Sequence, residues 1–339
     1  MWCKWACAGL LLAAVSSFAK PFPICMYGVD RPADLKTIKK AGFSCFQTYQ
    51  QEPEKLAALA KQAKKSGLQV VFYPNKLFDT PYEAAARSWP VLAWYLVDEP
   101  DVWRWSRARV MQAYNRTKFT FPAHDVTLVI GQGKTAVPYY DLPDALMVDW
   151  YPVPHLPLVS FGEQIALAKQ GQDSLAASEK PLWGVVQAFN WKEFKQHRPD
   201  NDRIGRFPTE SEIRFMSYHS IINGAEGVFY FVFTSNGKPL PEANPEWWRR
   251  VTAVTRELAR LKKVFEKGTP SALGFPVQSP LSAKTWLYKG KKYTVLVNAS
   301  DSEASLPAEL LTAKCKRLVG TRNNTVLGPY DVMVLACRA

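Results

Sequence analysis

From Ile24 to about Gly268, short apolar runs alternate with stretches whose apolar residues recur every three or four positions. The runs ICMYGV, FSCFQTY, LQVVFYP, VLAWYLV, VTLVIG, DALMVDW, PLWGVVQAF and GVFYFVF read as strands. Helical periodicity is found in PADLKTIKKAG, EPEKLAALAKQAKKSG, PYEAAARSW, FGEQIALAKQG, PTESEIRFMSYHSIING and PEWWRRVTAVTRELARLKKVFEKG. In the second of these, Leu56, Leu59, Ala60 and Ala63 share a face. The pattern makes eight strand–helix units, faint after the third and fifth strands. Such alternation predicts a parallel sheet covered by helices. Eight units over roughly 250 residues predict a closed (β/α)8 TIM barrel, here residues 20–268. An open doubly wound sheet is disfavoured. The turn after the first strand is GVDRPAD, not a glycine-rich phosphate turn.

The periodicity then changes. AKTWLYKGKKYTVLVNAS reads as a hairpin turning at Lys289-Gly290-Lys291, and CKRLVG and YDVMVLACRA add strands. Residues 269–339 are expected to form a small antiparallel β-sandwich domain, with Thr269-Pro270-Ser271 at the boundary. At the other end, Lys4, the apolar run ACAGLLLAAV and the small-residue pattern Ser17-Phe-Ala19 predict a cleavable signal peptide over residues 1–19. That run is short for a membrane span, and no later segment is apolar enough. A secreted or periplasmic protein is expected.

The chain carries a formal charge of +13. Removal of Met1–Ala19 takes away Lys4 and no acid. Such a basic protein favours anionic surroundings, an acidic envelope polymer or glycan among them, although the excess also serves solubility. Its basic residues are dispersed and no nucleic-acid motif occurs, so nucleic acid is not an expected partner. Of six cysteines, Cys25, Cys45, Cys315 and Cys337 remain after the signal. Cys315–Cys337 is the favoured disulfide, and Cys25 and Cys45 read as buried apolar fillers. His124, His155, His197 and His219 show no metal-ligand pairing. No metal or cofactor is expected.

In such a barrel the chemistry sits where strands end. The residues placed there are Asp30, Gln47, Thr48, Tyr49, Tyr73, Asn75, Asp98, Glu99, Gln132, Asp149, Trp150, Tyr151, Gln187, Phe189, Asn190, Trp191, Tyr230 and Phe233. Carboxylates, amides and aromatic rings at one mouth suit a sugar. Amides and acids bind hydroxyls, and rings cover the C–H faces. Glycoside cleavage needs two carboxyl groups across the scissile bond, one of them protonated. Asp98 and Glu99 end an apolar strand, where packing does not call for acids. Glu99 is the candidate general acid. Asp98 raises its pKa or holds a substrate group, or else hydrogen-bonds at the turn. Asp149 is the candidate second carboxylate.

WYLVDEP resembles the strand-four signature of the large barrel clan of retaining glycoside hydrolases, cellulases and β-galactosidases among them. PTESEIRFMSYHSIINGAEGVFYF resembles the last helix–strand unit of barrel glycosidase-like proteins, and LGPYDVMVL their C-terminal β-sandwich. In that clan an Asn-Glu-Pro-like motif carries the acid/base Glu, which falls on Glu99. The Asn before it is Asp98 here, and the nucleophilic Glu of strand seven falls on Gln187. An amide cannot form a glycosyl ester. Three readings remain open. Asp149 acts as second carboxylate, which is favoured. Alternatively, adjacent Asp98-Glu99 supports attack by a substrate acetamide, as in hexosaminidases, with Tyr151 or Gln187 assisting. Or the barrel binds sugar as a non-catalytic envelope scaffold.

Among the remaining candidates, Trp191, Trp150 and Tyr151 read as sugar platforms, while Trp94 and Trp183 lie mid-strand and read as core. Glu210 and Glu212 belong to a helix start, with Thr209 and Glu212 spaced as a capping box. Lys192, Lys195, Arg198, Arg203 and Arg206 follow the seventh strand and face an acidic glycan or only solvent. The whole reads as an exported glycoside hydrolase acting on an oligo- or polysaccharide.

Overall fold

The computed structural model describes residues 21–175, 179–194, 205–312, 314–320 and 325–338. The proposed signal peptide, Lys195, Arg198 and Arg203 lie outside these residues. Eight parallel strands close into a barrel in chain order. They are β1 (Ile24–Met26), β2 (Cys45–Gln47), β3 (Gln69–Phe72), β4 (Val91–Asp98), β5 (Asp125–Ile130), β6 (Ala145–Asp149), β7 (Leu182–Gln187) and β8 (Val228–Phe231). β8 pairs with β1 to complete the ring.

The helices outside are α1 (Leu35–Lys40), α2 (Pro53–Ser66), α3 (Tyr82–Ala86), α4 (Arg107–Thr120), α5 (Ser160–Ser174), α6 (Glu210–Ile222), α7 (Leu240–Ala243) and α8 (Pro245–Lys267). α4 escaped the periodicity argument because its buried residues are only Val110, Thr117 and Thr120, two of them polar. After β5 there is only a 3-10 turn at Val137–Tyr139. α6 begins with the expected capping box, Thr209 and Glu212 each closing on the other's backbone N–H. α8 starts under the Asn244 side chain, which accepts from Trp247 N, and buries Val251, Val254, Leu258 and Leu261 at helical spacing.

Strand alternation divides the core. Along β6, Ala145 and Met147 join the cluster inside the barrel, whereas Leu146 and Val148 pack under the helices. The same division places Trp94 outside and Trp183 inside, both buried as expected. It also corrects the reading of two cysteines. Cys25 and Cys45 are register partners on adjacent strands and face inward together. Their Cα atoms are 4.5 Å apart and they form a disulfide, not a pair of free fillers. Spacing in sequence does not reveal register between parallel strands, so this bond was not legible.

Beyond the barrel come a short ribbon, β9 (Thr234–Ser235) with β10 (Lys238–Pro239), and a small β domain. The domain contains β11 (Thr269–Ser271), β12 (Leu281–Tyr288), β13 (Lys291–Asn298), β14 (Ala304–Ser305), helix α9 (Ala308–Thr312), β15 (Lys316–Val319), β16 (Val326–Leu327) and β17 (Val332–Arg338). Its antiparallel sheet has the order β11-β12-β13-β17-β15. Thr269–Ser271, expected as a boundary, is the edge strand of that sheet. The hairpin turns through Lys289 and Gly290, both at positive φ (49° and 68°), as a two-residue primed turn requires. One face, with Val295, Val297 and Val334, joins the core under the barrel helices. The other, with Leu296, Met333 and Leu335, is covered by the β14–β16 ribbon through Ala304 and Leu327. Cys315 and Cys337 are bonded, as expected, with Cα atoms 4.3 Å apart.

The two disulfides differ in access. Cys25 and Cys45 are fully buried, whereas Cys315 and Cys337 are half-buried. Brief reduction of the native protein followed by alkylation should label Cys315 and Cys337 first. Mass mapping of the peptides reads the order. Equal early labelling of Cys25 and Cys45 would contradict the sealed position described.

Candidate active site

The end of β4 departs from a regular strand twice. Its pairing with β5 slips between Tyr95 and Asp98, where three steps on β4 match two on β5 from Thr127 to Val129. This bulge puts Tyr95 and Asp98 on the same side, although ordinary alternation would separate them. The Tyr95 hydroxyl donates to Asp98 Oδ1 at 2.7 Å. Glu99 then takes a left-handed conformation, φ 43°, which is uncommon for a residue with a side chain. The chain turns there, so Glu99 reaches the same cleft as Asp98. Two contacts hold this turn. Asp101 accepts from the backbone N–H groups of Gly131 (3.1 Å) and Gln132 (2.8 Å), tying the loop after β4 to the end of β5. Gly131 leaves room for the acid, since a Cβ there would sit 2.9 Å from Glu99 Oε1.

The cleft has a volume of about 350 Å³. Asp98, Glu99 and Asp149 line it with Tyr27, Tyr49, Tyr95, Tyr151, Phe189, Phe231 and, at its edge, Trp103, Trp191 and Phe194. No Lys, Arg or His is among these described lining residues. Asp149 comes from the inward face of β6 and is only 8% exposed. Tyr151 donates to its Oδ2 at 3.1 Å, and its Oδ1 has no hydrogen-bond partner. Asp98 lines the same cleft and is open to solvent, with the Tyr95 phenol bonded to it.

Burial raises all three carboxyl pKa values. At Glu99, burial acts with the charges of Asp98 and Asp101 to lift the pKa to about 7. At Asp149, burial and then the charges of Glu99 and Asp98 push it well above the usual carboxylate range, against the Tyr151 hydrogen bond. At Asp98, burial raises it and the Tyr95 hydrogen bond opposes. Both carboxyls are therefore held toward their protonated forms, and Glu99, at about 7, can give up a proton near neutral pH, as a general acid must.

Of the residues expected at the mouth, Asp98, Glu99, Asp149, Tyr49, Tyr151, Phe189 and Trp191 meet in this cleft. Tyr73 stands directly behind it, its ring 4.8 Å from that of Tyr95. The others go elsewhere. Tyr230 faces outward, where its hydroxyl meets Ser217 Oγ at 2.8 Å and its ring meets Phe43. Phe231, one position on, faces the cleft instead. Trp150 also turns outward and donates to Ser160 Oγ. Asn75 and Gln132 are exposed and line no part of the cleft. Asn190 caps the 3-10 turn after β7 by accepting from Lys192 N. Gln47 is fully buried, accepting from Gly28 N and donating to Thr48 O.

Gln187 is fully buried as well. It accepts from Val153 N and donates to Val153 O, both at 2.8 Å, and so fastens the loop after β6. An amide carries both the acceptor and the donor that these two bonds need. Tyr27, Tyr95, Trp103, Phe194 and Phe231 were missed as lining residues. For Phe231 and Tyr95 the signal was strand parity, which needs a register the sequence does not display.

No protein-family model matches this chain, and no curated protein matches its sequence. Solved structures do match. A GH30 endoxylanase from Clostridium papyrosolvens aligns over 96% of this chain and 98% of its own, with a TM-score of 0.57 and 11% identity. A glycoside hydrolase family 5 protein from Bacteroides vulgatus aligns over 93% and 89%, with a TM-score of 0.60 and 12% identity. Amy13B of Eubacterium rectale aligns over 95% and 96%, with a TM-score of 0.60 and 10% identity. At such identity the likeness shows the fold, which is (β/α)8 and glycoside hydrolase-like.

Two expectations follow from the site. A carboxyl whose pKa is raised by folding binds more protons folded than unfolded, so it lowers stability as pH rises through that interval. For Glu99 the interval runs from 4.5 to about 7. Glu99→Gln should match the wild type near the lower limit and exceed it at pH 8 by on the order of 1–3 kcal/mol after allowance for solvent screening. Thermal melts across pH read this difference, and a pH-independent gap would contradict it. Separately, Gln187→Glu places a carboxylate against the Val153 carbonyl and loses its donor. It should cost on the order of 1–3 kcal/mol in denaturant unfolding. Unchanged stability would show that the Val153 bonds do not matter.

Proposed function

We propose that this protein is an exported glycoside hydrolase. The observation that carries the reading is that Glu99 and Asp149, both with raised pKa values, meet in one aromatic cleft at the strand ends of the barrel. Glu99 is the general acid that protonates the leaving oxygen. Burial, and then the charges of Asp98 and Asp101, keep the proton on Glu99. Asp149 is the second carboxylate: the Tyr151 hydroxyl donates to its Oδ2 and favours the ionised form against burial, and its Oδ1 stands unpartnered for the attacking water. Trp191 and Tyr151 supply faces for sugar rings. Two disulfides support assembly in an oxidising compartment.

β5 separates β4 from β6, which favours a gap wide enough for water between the two carboxyls and therefore inversion of the anomeric centre. The retaining alternative through strand seven finds no support, because Gln187 has no carboxylate and its amide is fully engaged. The other reading, a sugar-binding scaffold, is favoured by that same amide in the nucleophile's place.

The test is a glycan panel with the wild type, Glu99→Gln and Asp149→Asn. Each substitution should lower turnover by on the order of 10²–10⁴, with an unchanged circular dichroism spectrum. Proton NMR should show the inverted anomer as first product. Wild-type turnover by Glu99→Gln would remove it as the acid. Binding by the wild type without hydrolysis of any glycan would favour the scaffold.

A further inference from the structure

Four tyrosines form a closed ring beside the carboxyl groups. Their centroids lie 6.4 Å apart for Tyr27–Tyr49 and for Tyr49–Tyr73, 4.8 Å for Tyr73–Tyr95 and 6.1 Å for Tyr95–Tyr27. Hydrogen bonds run from the Tyr27 hydroxyl to the Tyr95 hydroxyl (3.5 Å) and from there to Asp98 Oδ1 (2.7 Å). Asp98 is thus the polar terminus of this hydrogen-bonded chain, and it and Tyr49 are open to solvent. Burial first, and then the Asp98 charge, raises the pKa of Tyr49, Tyr73 and Tyr95 further above the ordinary phenol value. Across the cleft, Asp149 is more than nine-tenths buried with Oδ1 unpartnered.

This cleft has the wrong sign for the expected acidic glycan. Three carboxyls line it, and no basic side chain does so among the described residues. The chain as a whole is strongly basic, so the local field runs against the global one. Electron-rich ring faces with a carboxylate are the chemistry that holds an organic ammonium. A metal ion fits less well, since no group of three His, Cys, Asp or Glu among the described residues is arranged to hold one.

We propose that Asp98 and the Tyr27, Tyr49 and Tyr95 rings that line the cleft, with Tyr73 packed behind Tyr95, form an ammonium subsite, and that the glycan carries free amino groups, as a glucosamine polymer does. The inference rests on the glycosidase reading of the same cleft. The ammonium is a recognition group and is unchanged in the reaction. Water gives its hydroxyl to the anomeric carbon and a proton to the leaving oxygen. Acetylation of the amine removes the charge and adds bulk, and a uronate meets repulsion from whichever cleft carboxyls are ionised.

Calorimetry with Glu99→Gln, full chain at pH 6, measures binding without turnover. The probes are length-matched oligomers of glucosamine, N-acetylglucosamine, glucose and galacturonate. The glucosamine oligomer should bind at least about tenfold tighter than the acetylated or neutral ones. Its lead should shrink in about 0.5 M salt, and Asp98→Asn should collapse the affinity ratio. Equal or tighter binding of the acetylated, neutral or acidic oligomer overturns the inference. A lead unaffected by both salt and Asp98→Asn overturns it too. Hydrolysis by the wild type is scored separately. Cleavage of glycans without an amine preference in binding sinks this subsite and leaves the glycosidase. An amine preference in binding without cleavage of any glycan keeps the subsite and removes the glycosidase.

Discussion

Ordinary strand alternation sends consecutive side chains to opposite faces, and the cleft exists because β4 departs from that rule twice. The bulge after Tyr95 brings Asp98 inside, and the left-handed turn at Glu99 brings the next residue after it. Without either step, one acid would face the helices and the pair would not form. The turn is not free, since a residue with a side chain resists positive φ. Its support is visible in Asp101, which clamps the turn to the β5 loop, and in Gly131, which leaves the carboxyl its space. On the far side, Gln187 holds the loop that follows Asp149. The acids are therefore held by neighbours that do no chemistry themselves.

The same arrangement explains the electrostatics. Three carboxyls gathered among rings, without a lining cation, cannot all ionise cheaply. The protein keeps them partly protonated instead of neutralising them with salt bridges. Elsewhere it does pair its charges. Arg214 meets Glu210 and Glu257, and Arg206 meets Glu212. The contrast singles out the cleft, because acids left without cations in an otherwise basic chain mark a place where something other than stability sets the residue choice.

Much of this was legible in the sequence, and what was not has a common cause. The barrel followed from alternation of strand and helix patterns. Asp98, Glu99 and Asp149 were found because acids closing apolar strands have no packing purpose. The capping box and the Cys315–Cys337 bond were likewise foreseen. The failures concern which way a side chain faces. Tyr230 was chosen where Phe231 belongs, Trp150 was turned the wrong way, and Cys25 and Cys45 were kept apart. Each depends on parity or register between strands, and fully apolar strands of a barrel carry no alternation to read. Gln47 and Gln187 stand on the predicted face, but their polar groups are satisfied by backbone, which composition does not disclose. α4 was missed because its buried face is nearly as polar as its exposed one.

The bond between Cys25 and Cys45 also bears on how the molecule is assembled. It lies inside a ring that β8 closes against β1, and β8 is made some two hundred residues after Cys25. Once that ring is shut, neither an oxidant nor an isomerase reaches the sulfurs. The thiols must therefore meet while the N-terminal strands are still an open edge, before β8 closes on β1. A chain that closes before it is oxidised keeps two thiols it can no longer join. The covalent state of that pair thus records the environment in which the barrel was completed, whatever environment it later occupies.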